Sequence, residues 1–153
     1  MSEHRIISDW PHDTLLSIVE THGTPLYVID LERIRQNYRR LSSAFEDADI
    51  YYAAKANTSG AILKTLGNMG AGVECVSAGE IYRSIRAEIP PTRILYTAVN
   101  PPDSDLDFAV NLSGLTINIG SHDTLRRLSE RDYRGRICLR INTGSGAGHH
   151  KYV

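Results

Sequence analysis

The chain has 153 residues, 41% of them hydrophobic and 23% charged, and 17 Lys and Arg against 18 Asp and Glu leave a net charge of −1. That length allows one domain with a real core, and the even charge balance gives no footing for a nucleic-acid or membrane partner. No apolar run is long enough to cross a bilayer, and Met1-Ser2-Glu3-His4-Arg5 is not followed by a signal-type apolar segment, so a cytoplasmic location is expected.

Residues 1–22 are polar, with a short amphipathic stretch carrying Leu15, Leu16, Ile18 and Val19. Gly23-Thr24-Pro25 breaks it, and Leu26-Tyr27-Val28-Ile29 reads as a strand. Asp30 can cap the next helix, in which Leu31, Ile34, Tyr38, Leu41 and Phe45 make one apolar face. A rhythm follows. Short apolar runs begin near Ile50, Val73, Ile94, Thr116 and Ile137, at gaps of 23, 21, 22 and 21 residues. Between them lie helical patterns built on Ile62, Leu63, Leu66 and Met69, on Ile81, Tyr82 and Ile85, on Leu106, Ala109 and Val110, and on Leu125 and Leu128. Strand and helix alternating at this short period imply parallel strands joined by right-handed crossovers. A doubly wound sheet and a (β/α)8 barrel both fit, and periodicity leaves both open. Cys75 and Cys138 each lie in an apolar run and read as buried thiols. No Cys/His spacing points to a metal.

Tyr51-Tyr52-Ala53-Ala54-Lys55-Ala56-Asn57 is the most informative segment. It sets a lysine at the C-terminal end of the first parallel strand, where the active sites of both architectures form. A lysine leaving an apolar strand is expected to be partly desolvated, which favours the neutral amine needed to attack a carbonyl. Arg140 lies in the fifth apolar run, Ile137-Cys138-Leu139-Arg140-Ile141, and a guanidinium buried there needs an anion or several acceptors. An ion pair with a carboxylate such as Glu74, itself inside an apolar run, would serve. Asn142-Thr143-Gly144-Ser145-Gly146-Ala147-Gly148-His149-His150 is a glycine-rich run that is either a plain connector or a backbone cradle for phosphate.

The wording Tyr-Ala-x-Lys-Ala-Asn, followed by Ile62-Leu63, Leu66 and Gly70, resembles the cofactor-attachment motif of the ornithine/diaminopimelate/arginine decarboxylase family. Thr24-Pro25-Leu26-Tyr27-Val28, Gly70 to Glu80, Arg93-Ile94-Leu95-Tyr96-Thr97 and Leu139-Arg140-Ile141-Asn142 resemble further family segments in register. The resemblance implies an α/β fold, a (β/α)8 TIM-type barrel of which this chain supplies about the first five strand-helix units, with the family's C-terminal β-domain lying beyond. Residues 1–29 would form an N-terminal segment whose strand joins that β-domain, and residues 30–153 a partial barrel. It also implies pyridoxal 5′-phosphate (PLP) as cofactor, Lys55 as its catalytic attachment point, and Glu74 and Arg140 as cofactor-binding residues. Glu80 and His150 would be substrate or pocket residues, with no metal. Glu74 stands where the family usually has Asp, and Glu80 can equally be an acidic first-turn residue favoured by the helix dipole. The implied activity is decarboxylation of meso-diaminopimelate to L-lysine, in lysine biosynthesis, by a homodimer that takes a small amino-acid substrate. Decarboxylation of ornithine, arginine or carboxynorspermidine, or a non-catalytic PLP-binding role, are the alternatives.

Overall fold

The computed structural model describes residues 10–141, and the chain divides into two units, residues 1–30 and residues 31–153. In the first unit, helix α1 (His12–His22) ends at Gly23, whose positive φ of 75° lets its N–H reach the Val19 carbonyl at 2.7 Å. Leu15, Leu16, Ile18 and Val19 supply its apolar side, yet the helix has no buried residue. The strand expected at residues 26–29 is not formed. An extended segment becomes a strand only through a ladder partner, and among the described residues none pairs with it.

The second unit opens with helix α2 (Leu31–Ala44). Leu31, Ile34 and Tyr38 pack against Ile62, Leu66 and Ala71, whereas Leu41 and Phe45, further along the same stripe, stay exposed. Five strands follow: β1 (Tyr51–Ala53), β2 (Gly72–Cys75), β3 (Ile94–Tyr96), β4 (Thr116–Ile119) and β5 (Arg136–Leu139). Helices α3 (Gly60–Asn68), α4 (Ala78–Arg86), α5 (Asp103–Val110) and α6 (His122–Glu130) alternate with them. All four pairings are parallel and the strand order is β1-β2-β3-β4-β5. A doubly wound sheet reverses direction at an inner strand. This one never does, so it is the wall of a (β/α)8 barrel.

Register explains where the core sits. Ala53, Glu74, Leu95, Thr116 and Arg136 form one row across the sheet, and the next residue of each strand points to the opposite face. Val73, Cys75, Ile94, Tyr96, Ile117 and Ile119 lie on the helix side and are buried with Leu63, Ile81, Leu106 and Leu128. Glu74, Leu95, Thr116 and Asn118, on the other side, are only half-buried. Ile137 and Leu139 pair with Ile117 and Ile119 and so share the helix side, yet they are 44% and 66% exposed.

Cys138 departs from expectation. It pairs with Asn118, which turns it to the uncovered face, and it is exposed; Cys75 is buried as expected. Outside the core, Arg127 of α6 and its C-cap Arg131 reach across to Asp103 at 2.8 and 2.7 Å, and Arg131 also to Asp107 at 2.7 Å. These two guanidinium groups hold the Asp103 carboxyl below its ordinary range.

Candidate active site

Lys55 sits in a single 3₁₀ turn, Ala54–Ala56, directly after β1. Its segment is pinned from both ends. The Tyr52 hydroxyl donates to the Asn57 carbonyl at 3.0 Å, and the Ser59 N–H donates to Asn57 Oδ1 at 2.9 Å. Burial of the Tyr52 ring raises its hydroxyl pKa, with the Asn57 bond working the other way.

Lys55, Glu74 and Arg140 line one cleft of about 380 Å³ at the carboxyl ends of the strands, together with Val76, Thr97 and the loop Ala98 to Pro102. A second cleft of about 290 Å³ shares Arg140, Thr97 and part of that loop, and adds Asn118, Gly120, Ser121 and Thr124. Glu74, on β2, is level with Ala53, two residues before Lys55. Arg140 follows β5 directly, and its N–H still bonds the Ile119 carbonyl at 2.8 Å.

Two expectations about environment need correction. Lys55 is exposed rather than desolvated, and Arg140 is exposed rather than buried. The cause is the same for both: they project on the sheet face that no described element covers. Nor is the anticipated Glu74–Arg140 ion pair formed among the described residues, although both line the same cleft.

Glu80 has a different task. Ser77 is the N-cap of α4 and accepts from the Glu80 N–H at 3.2 Å, while Glu80 Oε2 accepts from the Val76 N–H at 2.8 Å. This reciprocal arrangement is a capping box shifted by one residue on its return arm. Glu80 does not line the cleft with Lys55. His150, like the whole glycine-rich run from Asn142, lies outside the described residues. His122 is simply the first residue of α6, behind the cap Ser121.

Sequence reasoning missed two residues. Asp105 Oδ2 accepts from the Ala78 N–H at 2.8 Å and from the Tyr96 hydroxyl at 3.4 Å, tying α5 to the start of α4 under the cleft loop. Burial, reinforced by the Asp105 charge, pushes the Tyr96 hydroxyl up. No spacing rule pairs positions so far apart. Asn118 was more accessible to inspection, as a lone amide in the apolar run Thr116-Ile117-Asn118-Ile119. Its Nδ2 reaches Thr97 Oγ1 at 3.5 Å, and its Oδ1 is buried with no hydrogen-bond partner among the described residues. A primary amine, a carboxylate and a guanidinium over a buried orphan acceptor can together take an aldehyde, a cationic group and an anionic group. That donor set and volume suit a small cofactor such as PLP.

Comparison with known proteins agrees. A family model described as the pyridoxal-dependent decarboxylase, pyridoxal binding domain, matches residues 31–153. The diaminopimelate decarboxylase of Methanothermobacter thermautotrophicus is 46% identical over 142 residues, covering 90% of this chain and 33% of that protein. That of Aquifex aeolicus is 37% identical over 144 residues, covering 92% and 34%. The crystal structure of the Helicobacter pylori diaminopimelate decarboxylase complexed with L-lysine superposes with a TM-score of 0.83 at 32% identity, covering 91% of this chain and 37% of that one. The chain thus spans about a third of the length of these relatives. With a parallel barrel wall, a lysine after its first strand and a family match across the second unit, this chain belongs to the pyridoxal-dependent decarboxylases, its residues 31–153 matching their pyridoxal binding domain.

Proposed function

We infer that the whole protein removes one carboxylate from meso-diaminopimelate to give L-lysine and carbon dioxide, using PLP attached at Lys55. The observation that carries this reading is the convergence of Lys55, Glu74 and Arg140 on one cleft at the strand ends. The names of the relatives at 46% and 37% identity supply the substrate. The proposal extends to a cytoplasmic homodimer with neither nucleic-acid nor membrane partner, and to residues 1–29 belonging with a C-terminal β-domain. Among the described residues no helix is long and apolar enough to cross a membrane.

The chemistry supplied by bound PLP is an electron sink for the pair left when the carboxylate departs. The residues of this chain do the rest. Lys55 Nζ would hold the cofactor through its aldehyde carbon, the aldehyde oxygen leaving as water, and would return in the protonation half of the cycle or during product release. Glu74 offers a half-buried carboxylate to a cationic group in the cleft, and Arg140 a guanidinium to an anionic one. The Tyr52 and Asn57 contacts fix the turn that carries Lys55, so the amine is presented from a rigid strand end.

The test is borohydride reduction of the PLP-loaded protein, followed by peptide mapping, with carbon dioxide release measured on three substrates. Label on Lys55, its loss with turnover in Lys55→Ala, and far faster release from meso-diaminopimelate than from ornithine or arginine are expected. Label on another lysine refutes the site. Equal or faster release from ornithine or arginine moves the protein to another substrate of its family. PLP bound at Lys55 with no release from any of the three indicates a non-catalytic relative.

A further inference from the structure

Among the described residues, the two clefts that share Arg140 hold an acceptor without a donor and a donor without an acceptor. Asn118 Oδ1 is buried and has no partner among the described residues, while its Nδ2 is spent on Thr97. Arg140 lines both clefts, and among the described residues its guanidinium makes no hydrogen bond. A guanidinium can only donate, through five N–H groups in a fixed fork, whereas an amide oxygen can only accept. Either orientation of the Asn118 amide leaves one end unpaired beside Thr97. Only the orientation with its oxygen inward can face a guanidinium. A buried acceptor left unsatisfied is costly, and a charged donor in the same cleft is its strongest available remedy.

Position supports the pairing. Asn118 is one residue from the end of β4, on the open face, and Arg140 follows β5 two residues beyond Cys138, the register partner of Asn118. On a strand, residues two apart point to the same side. Arg140 therefore stands two residues beyond the level of Asn118, on the same face, and both line the second cleft.

We propose that Asn118 is a positioning residue: its Oδ1 accepts a hydrogen bond from the Arg140 guanidinium and so aims that cation into the cleft shared with Lys55 and Glu74. The Thr97 hydroxyl, on the far side of the amide, fixes the orientation that makes this possible. The proposal rests on the reading of this cleft as the PLP site.

The test is a double-variant cycle in the complete protein, read as the PLP dissociation constant by fluorescence quenching. Asn118→Leu is expected to weaken binding about tenfold, the loss of one hydrogen bond to a charged group, and Arg140→Met by more, because it also removes the cation itself. The double variant should be no weaker than Arg140→Met alone, because Asn118 acts only through the Arg140 guanidinium. Asn118→Asp keeps an acceptor and should restore most of the affinity. Losses that multiply in the double variant, or Asn118→Leu binding like the parent, overturn the proposal. If the parent protein takes up no PLP, the functional reading fails by itself. The pair is then read from urea midpoints of the cofactor-free proteins: shifts that fail to add uphold it, and shifts that add overturn it.

Discussion

Replacing Glu80 separates the scaffold from the chemistry. Three side chains satisfy the start of α4: Ser77 takes the Glu80 N–H, Glu80 takes the Val76 N–H, and Asp105 takes the Ala78 N–H. Glu80→Ala strips the half-buried Val76 N–H of a charged acceptor, a contact worth about 1.5–3 kcal/mol when fully shielded. It also removes a first-turn negative charge worth about 0.3–1 kcal/mol. Because this corner is only half-buried, the lower part of the first range applies, and a net loss of about 2 kcal/mol is expected. Glu80→Gln keeps an acceptor and gives up only the charge, so it should lose about 0.5 kcal/mol. Urea unfolding of the two variants beside the parent measures the difference, and PLP affinity measured on the same samples should stay within about threefold of the parent. If Glu80→Gln unfolds like the parent but loses cofactor or turnover, the carboxylate belongs to the chemistry and the capping account is wrong.

Two more outcomes follow from the core. Burial pushes the Cys75 thiol up to about 11, helped by the nearby Glu80 and Glu74 charges and opposed by the Ser84 contact. The folded value is raised, so the neutral thiol's contribution to stability is complete below its ordinary value near 9 and fades as pH rises through 11; Cys75→Ala should flatten that alkaline decline in a pH series of urea midpoints, and an unchanged slope would refute it. At Gly72, a β-carbon would lie 2.5 Å from the Tyr51 ring and 2.9 Å from the Arg93 carbonyl oxygen, which is backbone and cannot swing away. Gly72→Ala should therefore cost about 1–3 kcal/mol by overpacking, and Tyr51→Ala in the same chain should recover only the ring's share; a Gly72→Ala protein with the parent's midpoint would show that β2 and β3 can part.

The strand starts were legible because parallel strands buried under helices advertise themselves as short apolar runs, and the even spacing between Ile50 and Ile137 carries the alternation. Strand order was not legible. It depends on which strand each crossover lands beside, and nothing in the composition of Gly60–Asn68 or Ala78–Arg86 records that. Lys55 was readable from its wording and from its place after a strand, and the structure sets it with Glu74 and Arg140 around one cleft. Its exposure, and that of Arg140, was misjudged because an apolar run signals burial on one face without saying which residues turn to the other. Cys138 failed for that reason: it alternates with Ile137 and Leu139 but points away from them. Residues 26–29 show the complementary limit, since a strand-like composition supplies no partner. Asp105 and Asn118 matter through neighbours distant in the chain, which only the folded sheet assembles.

The uninterrupted strand order has a consequence for synthesis. Among the described residues, each strand of the wall pairs with the strands just before and after it in the chain, about 21 residues away. No strand must wait for a distant segment to insert between two others, so contacts form in the order in which the chain leaves the ribosome. Each new strand-helix unit docks on an edge already built, as repeats do in a solenoid. The growing end then always presents one unpaired edge and one uncovered apolar pair, which at the stage of β5 are its outer backbone and Ile137 with Leu139. Such an edge is sticky for any neighbouring chain, and a nascent polypeptide of this kind gains most from slow, continuous elongation and from a chaperone that shields one strand at a time.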